Sequence, residues 1–231
     1  MKQLLCLAVS VVAIAPLCAA APCGTGSLAS YIALGAGGCT IGGNTLFDFQ
    51  VVSGTAGATP IAPGSITMTP FGSTYDPGLM GQTHMTASAG QQLEAIFTYR
   101  ISGTYFSGDS ITLGGSSETA DGGVTDVQNY CAGGTFGPDG VSGCTGSTTG
   151  SLLTDDGVQN QDSASLPFKS FLNVTDDFTL DGGTSGTASG GTFADRFSSV
   201  PEPLSFLLTG MGIALAAGFK FRSAAAGLFR R

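Results

Sequence analysis

Between its two apolar ends the chain never repeats apolar residues at helical spacing, and this restricts the intervening part to β-structure. It carries instead short stretches rich in Val, Ile, Thr, Phe and Tyr: residues 45–52, 65–70, 93–102, 110–113, 123–130, 168–175 and 187–197. Such side chains suit a pleated, half-buried surface, and each stretch is bounded by Gly, Pro, Asp or Ser, which supply turns. In Thr45-Leu46-Phe47-Asp48-Phe49-Gln50-Val51 the apolar side chains at 47, 49 and 51 alternate with polar 48 and 50, as a strand with one buried face requires. Leu93 to Ile101 reads as the central strand, and residues 132–150, dense in Gly, Ser and Thr, read as a loop. The expected fold is all-β, a β-sandwich of jelly-roll-like or immunoglobulin-like topology, with a barrel-like closure as the alternative.

The two ends are of a different kind. Met1-Lys2, the apolar run Leu4 to Leu17 and the small residues Cys18-Ala19-Ala20-Ala21 form a secretory signal helix, residues 1–20, with cleavage expected after Ala20. At the other end, residues 200–231 place Val200-Pro201-Glu202-Pro203 before an uncharged run, Leu204 to Phe219, and a basic tail with Lys220, Arg222, Arg230 and Arg231. The prolines fix φ and bias the preceding residues to extended geometry, so Glu202 is expected to be exposed. Sixteen helical residues span about 24 Å, and snorkelling by Lys220 and Arg222 extends them toward the ~30 Å of a hydrocarbon core. A C-terminal transmembrane helix over 204–219 follows.

This order of Pro-Glu-Pro, apolar helix and basic end resembles the PEP-CTERM sorting signal of Gram-negative bacteria that export polysaccharide. The resemblance implies recognition by a membrane-embedded peptidase of the exosortase kind, entry through the Sec translocon, an inner-membrane intermediate and release to the cell surface or extracellular matrix. It makes Val200, Pro201, Glu202 and Pro203 the sorting motif and the four basic residues the inner retention signal. Unlike the usual short tail, Ser223 to Phe229 stand between the first and last arginines. Residues 26–32, 38–42, Phe47-Asp48-Phe49 and 172–177 further resemble a group of PEP-CTERM ectodomains, a likeness that brings no activity with it.

The single extracellular domain is thus expected at residues 21–199. It holds three basic residues, Arg100, Lys169 and Arg196, against fifteen acidic ones, a net charge of −12. Nucleic acid is excluded as a partner, because phosphate binding needs basic clusters. An acidic surface rich in Gly, Ser and Thr suits an extracellular protein near polysaccharide. Four cysteines remain after the signal is removed, and in an exported protein sequence-near pairing gives Cys23–Cys39 and Cys131–Cys144. Zinc is disfavoured by the lack of a Cys-x-x-Cys spacing and by a lone histidine, His84.

Catalysis finds little purchase. A Ser-His-Asp device has only His84 to draw on, and no Gly-x-Ser-x-Gly elbow is present. A glycosidase needs two carboxylates about 5 to 10 Å apart; Asp48 and Glu94 lie on expected strands that can share a face, Glu118 is the remaining glutamate before Pro201, and there is no tryptophan to stack on sugars. Asp155, Asp156 and Asp162, with Gln159 and Asn160, form the candidate calcium site, since hard cations want several oxygens from a turn-rich segment; Asp176 and Asp177 make a second acidic pair. No other cofactor is expected. Tyr75, Tyr99, Tyr105, Phe106 and Tyr130 are candidates for stacking on sugar, most of them expected to fill the core instead. The expected role is a non-enzymatic structural or adhesive one linked to exopolysaccharide, the alternatives being a carbohydrate-binding module and a small carbohydrate-active enzyme.

Overall fold

The computed structural model describes residues 20–200. The signal segment through Ala19, the sorting residues Pro201, Glu202 and Pro203, the expected membrane helix and the basic residues Lys220, Arg222, Arg230 and Arg231 lie outside the described residues. Among the described residues no helix is long and apolar enough to cross a membrane.

The elements are α1 (Leu28–Ile32) and the strands β1 (Cys39–Ile41), β2 (Asn44–Val51), β3 (Thr67–Ser73), β4 (Asp76–Gln82), β5 (Gln92–Gly114), β6 (Gly123–Ala132), β7 (Thr148–Asp155), β8 (Gln161–Asp181) and β9 (Thr192–Val200). They form an antiparallel sheet in the order β3-β4-β9-β5-β8-β6-β7, with β2 added to β5 and β1 to β2. Thr59–Pro60 adds a short parallel ladder beside β5, and Thr86–Ser88, Thr187–Ser189 and Ser117–Thr119 make a small second sheet.

The length of β5 dictates the shape. Its 23 residues would run about 75 Å if straight, far beyond what a domain of this size can hold. The strand and its partner β8 therefore bend together, with register shifts between Ser165 and Lys169 and between Lys169 and Phe171. One half of β5 pairs with β2, the other with β9. The two halves face each other across a shared core, in a curled half-barrel. Phe97 and Phe178 of one half meet Phe193 of the other at ring-centroid distances of 6.0 and 4.9 Å, and Tyr99 meets Phe197 at 6.4 Å. All five rings are buried, and burying each removes on the order of 150–250 Å² from water.

Both disulfides are formed as paired above, Cys23–Cys39 and Cys131–Cys144. Three local readings are corrected. The alternation expected for residues 45–51 breaks at Asp48, where φ is +55° and two residues oppose Tyr99, a bulge. Leu46 and Phe49 face the core in consequence, and Val51 is 53% exposed. Strand β4, Asp-Pro-Gly-Leu-Met-Gly-Gln, lacks β-formers, yet pairs with β3 and β9 because the rings of Phe71 and Phe193 lie over Gly78 and Gly81, where a Cβ would collide with them. The expected strand 187–197 is two elements divided at Gly190-Gly191, and the expected loop to Gly150 ends where β7 begins at Thr148. Helix α1, too short for periodicity to reveal, is capped by the Ser27 hydroxyl, which accepts from Ser30 N, and buries Leu28 and Tyr31.

Candidate functional site

Alternation along β5 sends Phe97, Tyr99 and Ile101 inward and leaves Glu94, Ile96, Thr98 and Arg100 on the outer face of that half. There the bulge of β2 has a chemical result. It lets Phe49 stack on Tyr99 in the core, centroids 5.1 Å apart, while the Asp48 Oδ2 accepts from Arg100 Nη1 at 2.8 Å outside. Both side chains of the pair keep partial exposure, 35% for Arg100 and 22% for Asp48.

A loop folds over this pair. Residues 133–147 are tied at the base by Cys131–Cys144 and laid onto the sheet by two outward side chains of β8. Asn173 Oδ1 accepts from Phe136 N at 2.9 Å, and Thr175 Oγ1 donates to the Gly140 carbonyl. Asn173 is itself held, donating from Nδ2 to Thr98 Oγ1 and Tyr99 O. Within the loop Asp139 accepts from the amides of Val141 and Ser142, which hold its carboxyl below the usual range; the largest contribution is the Ser142 hydroxyl.

Between loop and strand lies a cleft of about 110 Å³ lined by Asp48, Gln50, Thr98, Arg100, Phe136 and Asn173. It shares Val51 and Val52 with a second cleft of about 250 Å³, walled by Leu28, Ile61, Ile96 and Glu94. The Glu94 carboxylate is fixed by Thr55, accepting from its N at 2.5 Å and its Oγ1 at 2.6 Å. Burial, with the charge of Glu94 second, raises the nearby Asp177. The two clefts adjoin at Val51 and Val52 as an outer groove, with guanidinium, carboxylate and amide groups at one end and, at the other, apolar side chains beside the Glu94 carboxylate. Such a lining can hydrogen-bond a hydroxyl-rich ligand and shelter its apolar faces.

The inner face holds a second constellation. Asp126 and Gln128 of β6, Asp176 of β8, Asp109 of β5 and Asp195 of β9 are all buried between the two halves. Tyr99 donates from its hydroxyl to Asp195 Oδ2 at 2.6 Å across the interior. Among the described residues, both carboxylate oxygens of Asp109, Asp126 and Asp176, and both amide atoms of Gln128, have no hydrogen-bond partner. Gln128 and Asp176 approach Asp195 closely enough to lower its pKa without reaching hydrogen-bond geometry. Burial first, and the charge of Asp195 second, push Asp109, Asp126 and Asp176 well above the usual carboxylate range. Asp195 rises to about 6, by burial opposed by the Tyr99 bond, and burial then Asp195 raise Tyr99.

The sequence-named residues fall as follows. Asp48 and Glu94 share the outer face, but Glu94 lies six residues from Arg100, the partner of Asp48, about 20 Å of strand. Asp155, Asp156 and Asp162 sit at the β7–β8 hairpin without gathering into a ligand set. Asp162 instead accepts from the amides of Leu153 and Ser163, at 3.0 and 2.8 Å. Among the described residues no three His, Cys, Asp or Glu groups come close enough to hold a metal ion. His84 and Glu118 are exposed; Tyr99, Phe106 and Tyr130 are buried, Tyr75 and Tyr105 exposed.

The inner aspartates carried a signal in the sequence. Val174-x-Asp176-x-Phe178 and Phe193-x-Asp195-x-Phe197 put each aspartate in phase with two apolar residues, so an inward strand face carries it inward. The outer loop's attachment had no such signal, because Asn173 and Thr175 meet Phe136 and Gly140 across 37 and 35 residues of sequence.

No protein-family model matches the chain, and no curated protein matches it. Among solved structures, a chain described as "Glycosylation Associate Protein (Gap123) complex from Streptococcus agalactiae" is similar at a TM-score of 0.29 and 12% identity, over 70% of this chain and 27% of that one. A likeness that distant carries no argument about fold or function.

Proposed function

We propose that the chain is an exported protein of the cell surface or extracellular matrix of a Gram-negative bacterium, structural and adhesive within exopolysaccharide, delivered through the Sec translocon and processed by an exosortase-type peptidase at its C-terminal signal. The observation that carries this reading is the pair of disulfides in a body tied together from its first described residues. Ala21, the first residue after the expected cleavage, already accepts a hydrogen bond from Thr40 N at 2.8 Å, and Cys23 is bonded to Cys39. Two disulfides suit an oxidising compartment. In this reading the two facing halves act as the layers of a β-sandwich.

The outer groove favours a saccharide-binding form of the adhesive role. Its Asp48–Arg100 pair and Gln50 on the strands offer donors and acceptors to a hydroxyl-rich chain, and Phe136, on the loop fixed by a disulfide, offers a ring. The separation of Asp48 and Glu94 supports binding over glycoside cleavage. Replacing Pro201-Glu202-Pro203 with three alanines in the native host tests the sorting reading. Loss of processing and retention in the membrane fraction is expected; unchanged size and location of the mature protein would refute it.

A further inference from the structure

The end of the body where β9 reaches Val200, the last described residue, has a surface unlike the rest. Val200 pairs with Tyr105 and Ser199 with Phe106, while Ser199 N donates to the carbonyl of Tyr75 at 2.8 Å. The Ser199 hydroxyl donates to Thr74 O at 3.1 Å, and Asn44 Nδ2 reaches the same carbonyl at 2.9 Å, which joins the hairpin tip at Gly42-Gly43 to this end. On the other side of β5, Lys169 pairs with Phe106, so Phe168 lies about two strand spacings, roughly 10 Å, from Ser199. Three aromatics here face solvent: Tyr75 at 51% exposure, Tyr105 at 44% and Phe168 at 59%. Phe168 does so from a left-handed backbone, φ +42°, a conformation costly for a bulky residue.

The charge pattern sets this end apart again. In a body of net charge −12, the segments that compose it, residues 40–47, 73–75, 102–107 and 165–171, contain no carboxylate, and their one charge is Lys169. The flanking acids are both ion-paired, Asp48 with Arg100 and Asp76 with Arg196 at 3.4 Å. From this end the chain continues directly into Pro201-Glu202-Pro203 and the uncharged run 204–219.

We infer that this acid-free end rests in the headgroup layer of the membrane holding residues 204–219, with Tyr75, Tyr105 and Phe168 at the lipid boundary and Lys169 toward anionic headgroups. Aromatic side chains favour that layer, and a carboxylate-rich surface would be repelled from it. The domain then sits on the membrane in a fixed pose, and the Pro-Glu-Pro motif is held at the interface where a membrane-embedded peptidase works. This inference rests on the proposed membrane span, and its test separates the two.

The chain has no tryptophan, so one introduced residue reports alone. Full-length F168W and Y105W are reconstituted in phosphatidylcholine–phosphatidylglycerol vesicles with brominated acyl chains. V158W, at a turn 81% exposed and beyond the far end of the β5–β8 ladder, is the control. Blue-shifted emission quenched by bromine in F168W and Y105W, with V158W red and unquenched, is expected. Emission from F168W and Y105W that is as red and unquenched as that of V158W, in protein that floats with the vesicles, overturns the inference alone. A blue shift that persists without lipid means the end is covered by protein, a second copy included, and also overturns it. Failure of the chain to float with vesicles overturns the membrane-span reading itself.

Discussion

Strand β8 carries two kinds of buried polar residue side by side, and they differ in everything but burial. On the outer face Asn173 and Thr175 use their side chains fully, tying the 133–147 loop to the sheet. On the inner face Asp176, the next residue along, is equally inaccessible, lies close to Asp195 and makes no hydrogen bond among the described residues. A satisfied buried hydrogen bond contributes about 1 kcal/mol, whereas an unpartnered polar group costs about 1–3 kcal/mol and a buried charge more. The outer face thus uses polarity to build a groove. On the inner face burial favours the uncharged form of the carboxyls, which links the fold to pH.

That difference gives the largest expected effect. Asp109, Asp126, Asp176 and Asp195 have folded-state pKa values above the unfolded value near 3.8, so the folded chain binds more protons than the unfolded one above pH 4. Stability must then fall as pH rises, from about 4 through the value of about 6 for Asp195, the raised carboxyls of the others adding to the same trend. Asp195 alone accounts for about 3 kcal/mol across that window. Exposed Asp121 and Asp139, lowered first by the hydroxyls of Thr184 and Ser142 respectively, act oppositely, and their contribution is lost as pH falls below about 3.8. Guanidinium unfolding between pH 3 and 8 should show maximal stability near pH 4 to 5; a maximum at pH 7 would erase the distinction between the faces.

Next in size is the outer loop. Replacing Cys131 and Cys144 together by serine removes a closure worth about 3 kcal/mol in the chain-entropy model. Denaturant melts should lose that much, with hydrogen exchange rising first in residues 133–147; a uniform rise would mean that Asn173 and Thr175 hold the loop on the sheet without the disulfide.

Smaller, and opposite in sign, is Asp176→Asn. An amide cannot ionise, so at pH 8 the variant should gain about 2 kcal/mol and show a shallower pH slope, read from the same melts. Loss of stability at pH 8 would mean that Asp176 is partnered in solution.

The sequence makes the framework legible where chemistry is local. Leu93 to Ser102 stands out by composition, and both disulfides follow from spacing and export. What escapes it depends on contacts distant in sequence. The β4 strand exists because two rings need glycines beneath them, and the Asp48 bulge exists because Phe49 must reach Tyr99 while Asp48 reaches Arg100. Acidic residues read as turn solvation unless their phase with flanking apolar residues is followed, which is why Asp155, Asp156 and Asp162 drew attention and Asp176 as a core residue did not.

The adhesive reading is tested most directly by co-sedimentation of the exported protein with exopolysaccharide from its own host, alongside Arg100→Ala. The account predicts that the unmodified protein sediments with the polymer and that the variant, still folded by circular dichroism, loses at least tenfold in affinity, about 1.4 kcal/mol or more. No binding by the unmodified protein, or equal binding by both, would contradict it.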